Sequence, residues 1–371
     1  MAQNPPFRAD QVGSLLRCAA VHEARAKQAK GEISVDALKA VEDATIKQLI
    51  AKQESVGLKS ITDGEIRRAA WTTDFLRELD GVSAGQHLVK FEGGEEHITT
   101  SLQITGKLGF SSHPMVEHFT FLKENTNQTP KMTIPSPLML ASPSRDWREA
   151  VDRSIYPTLS SMFDDLGEAY RKAVRAFHDA GCRYLQFDDC AFAFLCDAGV
   201  RKKVEARGDD PDEMMEDWIA LLNSILDDKP ADMTISTHMC RGNFRSTWLA
   251  SGGYEPVADQ VFNRINYDAY FLEYDSDRAG GFEPLRFIPK TGHKQVVLGL
   301  VTTKVAALES KDDIKRRIDQ ATAFVDLDRL CLSPQCGFAS TEEGNALAES
   351  EQWRKLGMVV EIAEEVWGST R

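Results

Sequence analysis

The sequence predicts an α/β protein, a (β/α)8 TIM barrel with a β-hairpin insertion between strands 2 and 3. Two observations predict this fold. Eight short apolar runs have the β-branched composition of buried parallel strands, and amphipathic helical stretches separate most of them. A chain of 371 residues fits one large barrel, and no Pro/Gly/Ser-rich linker divides it. We therefore expect a single barrel domain over residues 1–371.

The eight predicted strands alternate with helices in chain order. They cover residues 11–16, 58–65, 131–137, 182–189, 233–240, 269–274, 294–301 and 329–337. Helix 36–56 and helix 160–180 each end at a glycine, and the last helix carries Trp353 and Trp367 on one face. This alternation is typical of βα units and predicts a parallel sheet.

The polar stretch 81–130 interrupts the alternation. It contains two alternating segments, 97–110 and 116–122, which we interpret as a β-hairpin inserted between barrel strands 2 and 3. A doubly wound nucleotide-binding sheet is the alternative architecture, but the chain has no G-x-G-x-x-G turn and no P-loop. The pattern therefore favours the barrel.

Composition argues against several classes of partner. The net charge is −13, from 44 Lys+Arg against 57 Asp+Glu, which argues against nucleic acid and anionic membranes. No apolar run approaches the ~20 residues of a membrane-spanning helix, and the N-terminus lacks an apolar signal region. Seven cysteines, an odd number, suggest reduced thiols and a cytoplasmic location. We expect small-molecule partners, and barrel enzymes in general suggest a homodimer.

Three candidate metal ligands stand at the carboxyl ends of predicted strands. His238 and Cys240 in THMC lie two residues apart, so they point to the same side of a strand, and Cys336 in SPQCG ends strand 8. Glu273, at the end of strand 6, is either a fourth ligand or a solvated strand end. Together the four predict an open Zn²⁺ site at the barrel mouth. Cys331 lies an odd number of residues from Cys336, so we expect it to face the helices.

Zinc with these ligands suits a thiol better than water. Two thiolates make the ion a modest Lewis acid, whereas a thiol bound to it is deprotonated outright. The predicted product is a thiolate nucleophile at neutral pH. A zinc hydrolase is less favoured because an H-x-H pair with a catalytic aspartate is missing. A metal-free decarboxylase-like or binding barrel is the remaining alternative.

Acidic residues end two other predicted strands. Asp63 and Glu65 flank Gly64 in ITDGE, and Asp188 precedes Asp189 in LQFDD. The structural alternatives are a turn for D-G-E and a helix N-cap for D-D. At the mouth of a barrel, however, such carboxylates suit the ammonium group of an amino acid.

Two further pairs of residues complete the predicted pocket. Gly13 and Ser14, at the end of strand 1, offer backbone N–H groups and a hydroxyl to a carboxylate. Arg67 and Arg68 are either anion ligands or surface charges. The pocket predicted in this way fits a zwitterionic amino-acid thiol.

The motifs THMC, FLEYD, SPQCG, ITDGE and FDD resemble the catalytic barrel of cobalamin-independent methionine synthase, from about residue 8 to the C-terminus. The resemblance is to single-barrel relatives within the uroporphyrinogen decarboxylase/methionine synthase-like superfamily. It implies zinc held by His238, Cys240, Glu273 and Cys336. It also implies homocysteine contacts from Gly13, Ser14, Glu65 and Asp188.

The sequence departs from the family on the side of the methyl donor. The family segment D-I-H-S-P, whose histidine protonates the folate leaving group, reads VTTKVAAL here, with Lys304 near the histidine position. The segment I-D-E-P-A reads FDDCA, which puts Asp189 and Cys190 in place of Glu-Pro. N-P-D-C-G reads SPQCG, with Gln335 in place of the aspartate.

The resemblance implies zinc-dependent methyl transfer to the thiol of homocysteine, and thus methionine synthesis. Asp188, Glu65 and Lys304 are the expected catalytic residues. The donor is left open between a methylated folate and a corrinoid, the latter on a corrinoid protein partner. The alternative function is alkyl transfer to another small thiol such as coenzyme M, as in epoxyalkane:coenzyme M transferases.

Overall fold

The computed structural model describes residues 5–90, 96–243 and 245–371, and within them the side chains outside 86–100. The described strands are β1 (Ser60–Ile61), β2 (Asp80–Lys90), β3 (Glu96–Gly109), β4 (Thr129–Pro130), β5 (Met132–Pro135), β6 (Tyr184–Asp189), β7 (Thr234–Met239), β8 (Ala269–Glu273), β9 (Gln295–Val301) and β10 (Leu330–Pro334). Strands β5 to β10 form one parallel sheet in the order β10-β9-β8-β7-β6-β5. The predicted α/β fold with a parallel sheet is confirmed.

Helices follow most of the strands. They are α1 (Ala19–Ala29), α2 (Val35–Val56), α3 (Thr73–Leu76), α4 (Pro114–Asn125), α5 (Leu159–Asp179), α6 (Ala191–Leu195), α7 (Ala198–Ala206), α8 (Pro211–Leu226), α9 (Lys311–Ala321) and α10 (Glu349–Trp367). The Ser34 hydroxyl accepts the Ala37 N–H at the start of α2, and Gly57 ends that helix with a left-handed φ of 105°. The predicted helices 36–56 and 160–180 are confirmed. Within the described ranges, no helix has the length and apolar character to cross a membrane.

Both edges of the large sheet continue into short additional pairings. At one edge β4 leads directly into β5 and pairs in parallel with β1. At the other edge Ala9 forms a parallel bridge with Leu332, and the Asp10 N–H donates to Leu332 O at 3.0 Å. Residues 8–14 therefore lie between β10 and β1.

The strand predicted for residues 11–16 is not formed. Where this segment faces β1, side-chain hydrogen bonds take the place of a backbone ladder. Ser60 Oγ donates to Asp10 Oδ1 at 2.7 Å, and Thr62 Oγ1 donates to Gly13 O at 2.6 Å. Gly13 has φ 152°, and a Cβ there would lie 2.8 Å from a methyl carbon of Thr133. The chain turns at this glycine, which ends the extended conformation.

The polar stretch contains an antiparallel pair, β2 with β3, in the register Ala84↔Leu102. Residues 91–95 between these strands lie outside the described range. The segment 97–110, one of the two predicted hairpin segments, therefore pairs with residues that precede it.

The interpretation of 116–122 as a strand is wrong, because these residues lie in α4. His113 caps the helix by accepting the Met115 N–H. Met115, Phe119 and Leu122 are buried at a spacing of about one helical turn. The sequence of 116–122 fits both the alternation of a strand and the period of a helix. Burial of one helical face favours the helix.

His118 on α4 gives a pH-dependent contribution to stability. Burial lowers its pKa to about 4, although the Asp63 carboxylate opposes the shift. The unfolded chain then binds a proton more readily than the folded protein, so the free energy of unfolding falls as pH drops from about 6.5 towards 4. We expect His118→Gln to reduce this loss by on the order of 2 kcal/mol, measured by urea unfolding against pH. The exposed His22→Gln is the control, and an equal effect of both variants would contradict the assignment.

Candidate metal centre

Four side chains with ligand atoms converge at the carboxyl ends of the strands. His238 belongs to β7, Cys240 follows it, Glu273 ends β8, and Cys336 lies just beyond β10. Their ligand atoms all lie within 4.8 Å of one another, and all four residues are buried. The structure therefore brings together the four residues that the sequence analysis selected.

The spacing of these atoms fits zinc. The Sγ atoms of Cys240 and Cys336 are 3.6 Å apart. A tetrahedral site with Zn–S bonds of ~2.3 Å has an S···S edge of ~3.8 Å. Neither ring nitrogen of the buried His238 has a hydrogen-bond partner among the described residues. A buried imidazole in this state is costly, and binding a metal would satisfy one nitrogen.

Hydrogen bonds among the buried thiols lower the pKa of one and raise the pKa of another, and this arrangement favours metal binding. Hydrogen bonds from Cys190 and Cys336, together with the neighbouring His238, hold the pKa of Cys240 well below its usual range. The same hydrogen bond to Cys240, followed by burial, raises the pKa of Cys336. Burial lowers the pKa of His238, but its interaction with Cys240 outweighs this and leaves the pKa raised. A divalent cation would replace the shared protons.

Cys336 reaches the cluster through an irregularity in β10. The register of β10 against β9 shifts between Ser333 and Pro334, which interrupts the alternation of side chains. The expectation that Cys331 packs against the helices is wrong, because strand parity does not carry across the shift. Cys331 instead packs in a cluster with Val12, Tyr184, Phe271 and Val297.

A pocket of about 290 Å³, including its mouth, opens beside the cluster. Besides His238, Cys240 and Cys336, its lining includes Ser14, Glu65, Trp71, Asp188, Gly337 and Ser340. Gly337 packs tightly on Ser14, since a Cβ there would lie 1.9 Å from the serine Oγ.

A strained turn directs the Glu65 side chain into the pocket. Gly64 and Glu65 both have a left-handed backbone, with φ 66° and 58°, and the Glu65 N–H donates to Asp63 Oδ1 at 2.8 Å. Thr133 Oγ1 donates to Glu65 Oε1 at 3.0 Å. Oε2 has no hydrogen-bond partner among the described residues and lies 3.5 Å from Arg68 Nη1. A non-glycine residue in this conformation costs about 1–3 kcal/mol, and such strain clusters at functional sites.

Asp188 and Asp189 have different environments. Asp189 Oδ1 accepts the N–H of Ala191, the first residue of α6, at 2.5 Å. Asp188 lines the pocket and accepts from Gln186 Nε2 at 2.6 Å. Burial, followed by the negative charge of Glu65, raises the pKa of Asp188 to about 7. A cation bound in the pocket would relieve this repulsion.

Arg17 ties two walls of the pocket together. Its Nη2 donates to the carbonyls of Glu65 at 2.9 Å and Arg68 at 2.8 Å. Its Nη1 donates to the carbonyls of Ala339 at 3.3 Å and Thr341 at 3.0 Å. One buried side chain thus joins the loop after β1 to the loop after β10.

Arg67 and Arg68 are not surface charges. The Arg68 side chain is 3% exposed and donates to Thr133 O at 2.6 Å. The Arg67 side chain is 5% exposed and pairs with Asp43. Both arginines therefore support the loop after β1 from within the protein.

Lys304 lies in the loop after β9, and Gln335 directly follows β10. Lys304 Nζ is 3.3 Å from Asp275 Oδ2, and the residue is outside the pocket lining described above. Gln335 accepts the Thr303 N–H at 2.6 Å and donates to Thr303 Oγ1 at 3.1 Å. The glutamine that replaces the family aspartate thus fixes the loop after β9.

The sequence analysis missed two arginines beside Glu273. Arg241 Nη1 lies 3.5 Å and Arg278 Nη2 3.3 Å from Glu273 Oε2. Arg241 directly follows the THMC motif, which is a signal that could have been used, whereas nothing in the sequence marks Arg278. Trp71 and Cys190 were also missed as neighbours of the pocket and of the thiols.

Residues 7–365 match the family described as the catalytic domain of cobalamin-independent synthase. The chain is 49% identical over 367 residues to the uncharacterized protein YxjH of Bacillus subtilis, covering 98% of this chain and 95% of that protein. It is 41% identical to a Listeria monocytogenes protein solved as a candidate vitamin-B12-independent methionine synthase. The alignment covers 99% of this chain and 100% of the other, with a TM-score of 0.80.

A more distant relative is named for the reaction it catalyses. The chain is 24% identical over 338 residues to the 5-methyltetrahydropteroyltriglutamate–homocysteine methyltransferase of Bacillus velezensis. The match covers 91% of this chain but 40% of that enzyme, so the chain spans less than half of its length. From these matches we conclude that the chain belongs to the methyltransferase family of cobalamin-independent methionine synthase catalytic domains.

Proposed function

We propose that the protein is a zinc-dependent methyltransferase that methylates the thiol of homocysteine. The observation that carries the proposal is the convergence of His238, Cys240, Glu273 and Cys336 beside a pocket lined by two carboxylates. Membership of a methyltransferase family supports the reaction type. Zinc held by these four residues would lower the pKa of a bound thiol, so that its sulfur is a nucleophile at neutral pH.

The pocket offers groups complementary to a zwitterionic amino acid. Glu65 Oε2, which lacks a hydrogen-bond partner among the described residues, and the Asp188 carboxylate would accept from the ammonium group. The bound cation would offset the repulsion between these two carboxylates. The Gly13 backbone and the Ser14 hydroxyl would hold the carboxylate of the substrate. Binding in this orientation directs the thiol towards the ligand cluster.

The methyl donor would approach from the loop after β9. Lys304 is the proposed proton donor on that side, and its ion pair with Asp275 holds its ammonium group in place. The donor would be a methylated folate or a corrinoid.

We further propose that the strands close into an eight-stranded barrel within one domain over residues 1–371. Residues 8–14 would take the place of the first strand, because they bridge β10 and bond to β1 through side chains. The β2–β3 pair would be an insertion between the second and third barrel strands. This arrangement would put every residue of the proposed site at one mouth of the barrel.

Zinc analysis combined with calorimetry tests the proposed function. We expect about one zinc per chain, and homocysteine binding with release of about one proton, measured in buffers of different ionisation enthalpy. Coenzyme M is the comparison thiol, and we expect weaker binding because its sulfonate would meet Glu65 and Asp188. Methionine formation from methylated folates and methylcobalamin would identify the donor. Protein that contains no zinc, or that binds homocysteine without proton release, would contradict the proposal.

A further inference from the structure

We propose that Arg241 and Arg278 form a second binding place for the Glu273 carboxylate, which receives it when a substrate thiol takes its position on zinc. The inference rests on the proposed function. It assigns two positioning residues whose task is to make the exchange of ligands favourable.

Arg278 lies between two carboxylates. Its Nη2 is 3.3 Å from Glu273 Oε2 and 3.3 Å from Asp275 Oδ1. Its guanidinium carbon stands 4.7 Å from the ring centre of Trp248, and its side chain is 8% exposed. The cation is therefore available to Glu273 in a place from which water is largely excluded.

Arg241 lies beside the same oxygen, Glu273 Oε2, and is held there by hydrogen bonds. Its Nη1 donates to Tyr254 Oη at 3.0 Å and to Glu273 O at 3.2 Å, and its Nη2 donates to Gly252 O at 2.9 Å. Tyr254 Oη in turn accepts the Glu273 N–H at 2.9 Å. These bonds fix the guanidinium relative to the end of β8, so it does not need to move with the carboxylate.

Exchange of ligands requires a new partner for the displaced Glu273 carboxylate, and the two arginines provide it. The Glu273 side chain is 1% exposed, so a carboxylate that leaves the ligand cluster has no access to bulk water. A buried carboxylate without a partner is strongly destabilising, whereas one held by guanidinium groups is not. With zinc held by the cluster, an incoming thiol would release its proton to solvent, and its thiolate would replace one carboxylate anion as a ligand. The charge within the ligand cluster is thereby conserved.

This role separates thiol affinity from zinc affinity. Without Arg278, Glu273 has fewer alternative partners and stays with the cluster, so zinc binding is retained while the thiol competes less well. If Arg278 only supported the packing of the site, its removal would weaken the binding of both zinc and the thiol. The two affinities therefore distinguish a receiving site from a packing role.

The experiment compares Arg278→Met and Arg278→Lys with the wild type, all loaded with zinc. We expect Arg278→Met to raise the Kd for homocysteine at least ~10-fold in calorimetry, because a charge-assisted hydrogen bond is lost. Zinc affinity, measured by competition with a chromophoric chelator, should stay equal or become tighter. Arg278→Lys should give an intermediate Kd. The control is Arg286→Met, which removes an exposed arginine paired with Glu255.

A double-mutant cycle with Glu273→Gln completes the test. In that background there is no carboxylate to receive, so adding Arg278→Met should weaken homocysteine binding no further. A Kd unchanged in Arg278→Met, an equal loss of zinc and thiol affinity, or full additivity in the cycle would overturn the inference. Failure of the proposed function is separate, because the wild-type protein would then lack zinc or fail to bind homocysteine.

Discussion

Replacing Cys336 by serine is expected to abolish stoichiometric zinc binding and to lower methyl transfer by more than ~100-fold. A serine hydroxyl does not ionise near neutral pH, so the cluster loses one of its two thiolates. Cys336 Sγ stands 3.6 Å from that of Cys240, so the substitution leaves Cys240 as the one thiol among the four candidate ligands. Zinc content by plasma emission spectrometry and the rate of methionine formation measure the two effects.

Cys18→Ser provides the matched control for this substitution. Cys18 is the N-cap residue of α1 and lies outside the ligand cluster, and serine is favoured at an N-cap. The control should retain zinc and activity. If Cys336→Ser retained both as well, the candidate metal centre would not be the site of the reaction.

Replacing Glu65 by glutamine is expected to lower the affinity for homocysteine ~10–100-fold, since a hydrogen bond to a charged group contributes about 1.5–3 kcal/mol. Glutamine keeps the size of the side chain and can still accept from Thr133 Oγ1, but it cannot balance the charge of an ammonium group. Calorimetry on the zinc-loaded protein measures the change, and zinc content should not alter.

The specificity of this effect can be checked with the ligand. 4-Mercaptobutanoate has the chain of homocysteine without its amino group, so its affinity should change little in Glu65→Gln. The exposed Glu343→Gln serves as the protein control. An equal loss of affinity for both thiols would mean that Glu65 supports the pocket without binding the amine.

The sequence predicts best what depends on local geometry. His238 and Cys240 share a side of a strand because they are two residues apart, and the structure places both in the cluster. Cys331 shows the limit of this reasoning. Its direction depends on a register shift between Ser333 and Pro334, which is set by the pairing of β10 with β9. Pairing between distant segments leaves no mark in the local pattern.

At the carboxylates, the structural alternative and a position in the pocket are compatible. The sequence analysis set a turn at D-G-E against a site, yet the turn is formed and it is what directs Glu65 into the pocket. In the D-D pair, Asp189 accepts the N–H of the first residue of α6, whereas Asp188 lines the pocket. Burial and backbone conformation decide such cases, and neither can be read from residue type.

Long-range partners explain the remaining differences. Arg278 contacts Glu273 only because the loop after β8 folds back over the strand end, which residue type and spacing do not indicate. Segment 116–122 fits both an alternating and a helical period, and the packing of Phe119 in the core selects the helix.

The bonds of Arg17 have a consequence for which substrates fit. Its guanidinium joins the carbonyl of Glu65 to those of Ala339 and Thr341, so the wall that carries Glu65 and the wall that carries Cys336 keep a constant separation. Under the proposed function, this fixed separation selects substrates by the length of the carbon chain between nitrogen and sulfur. Cysteine, one methylene shorter than homocysteine, could reach only one end of it at a time.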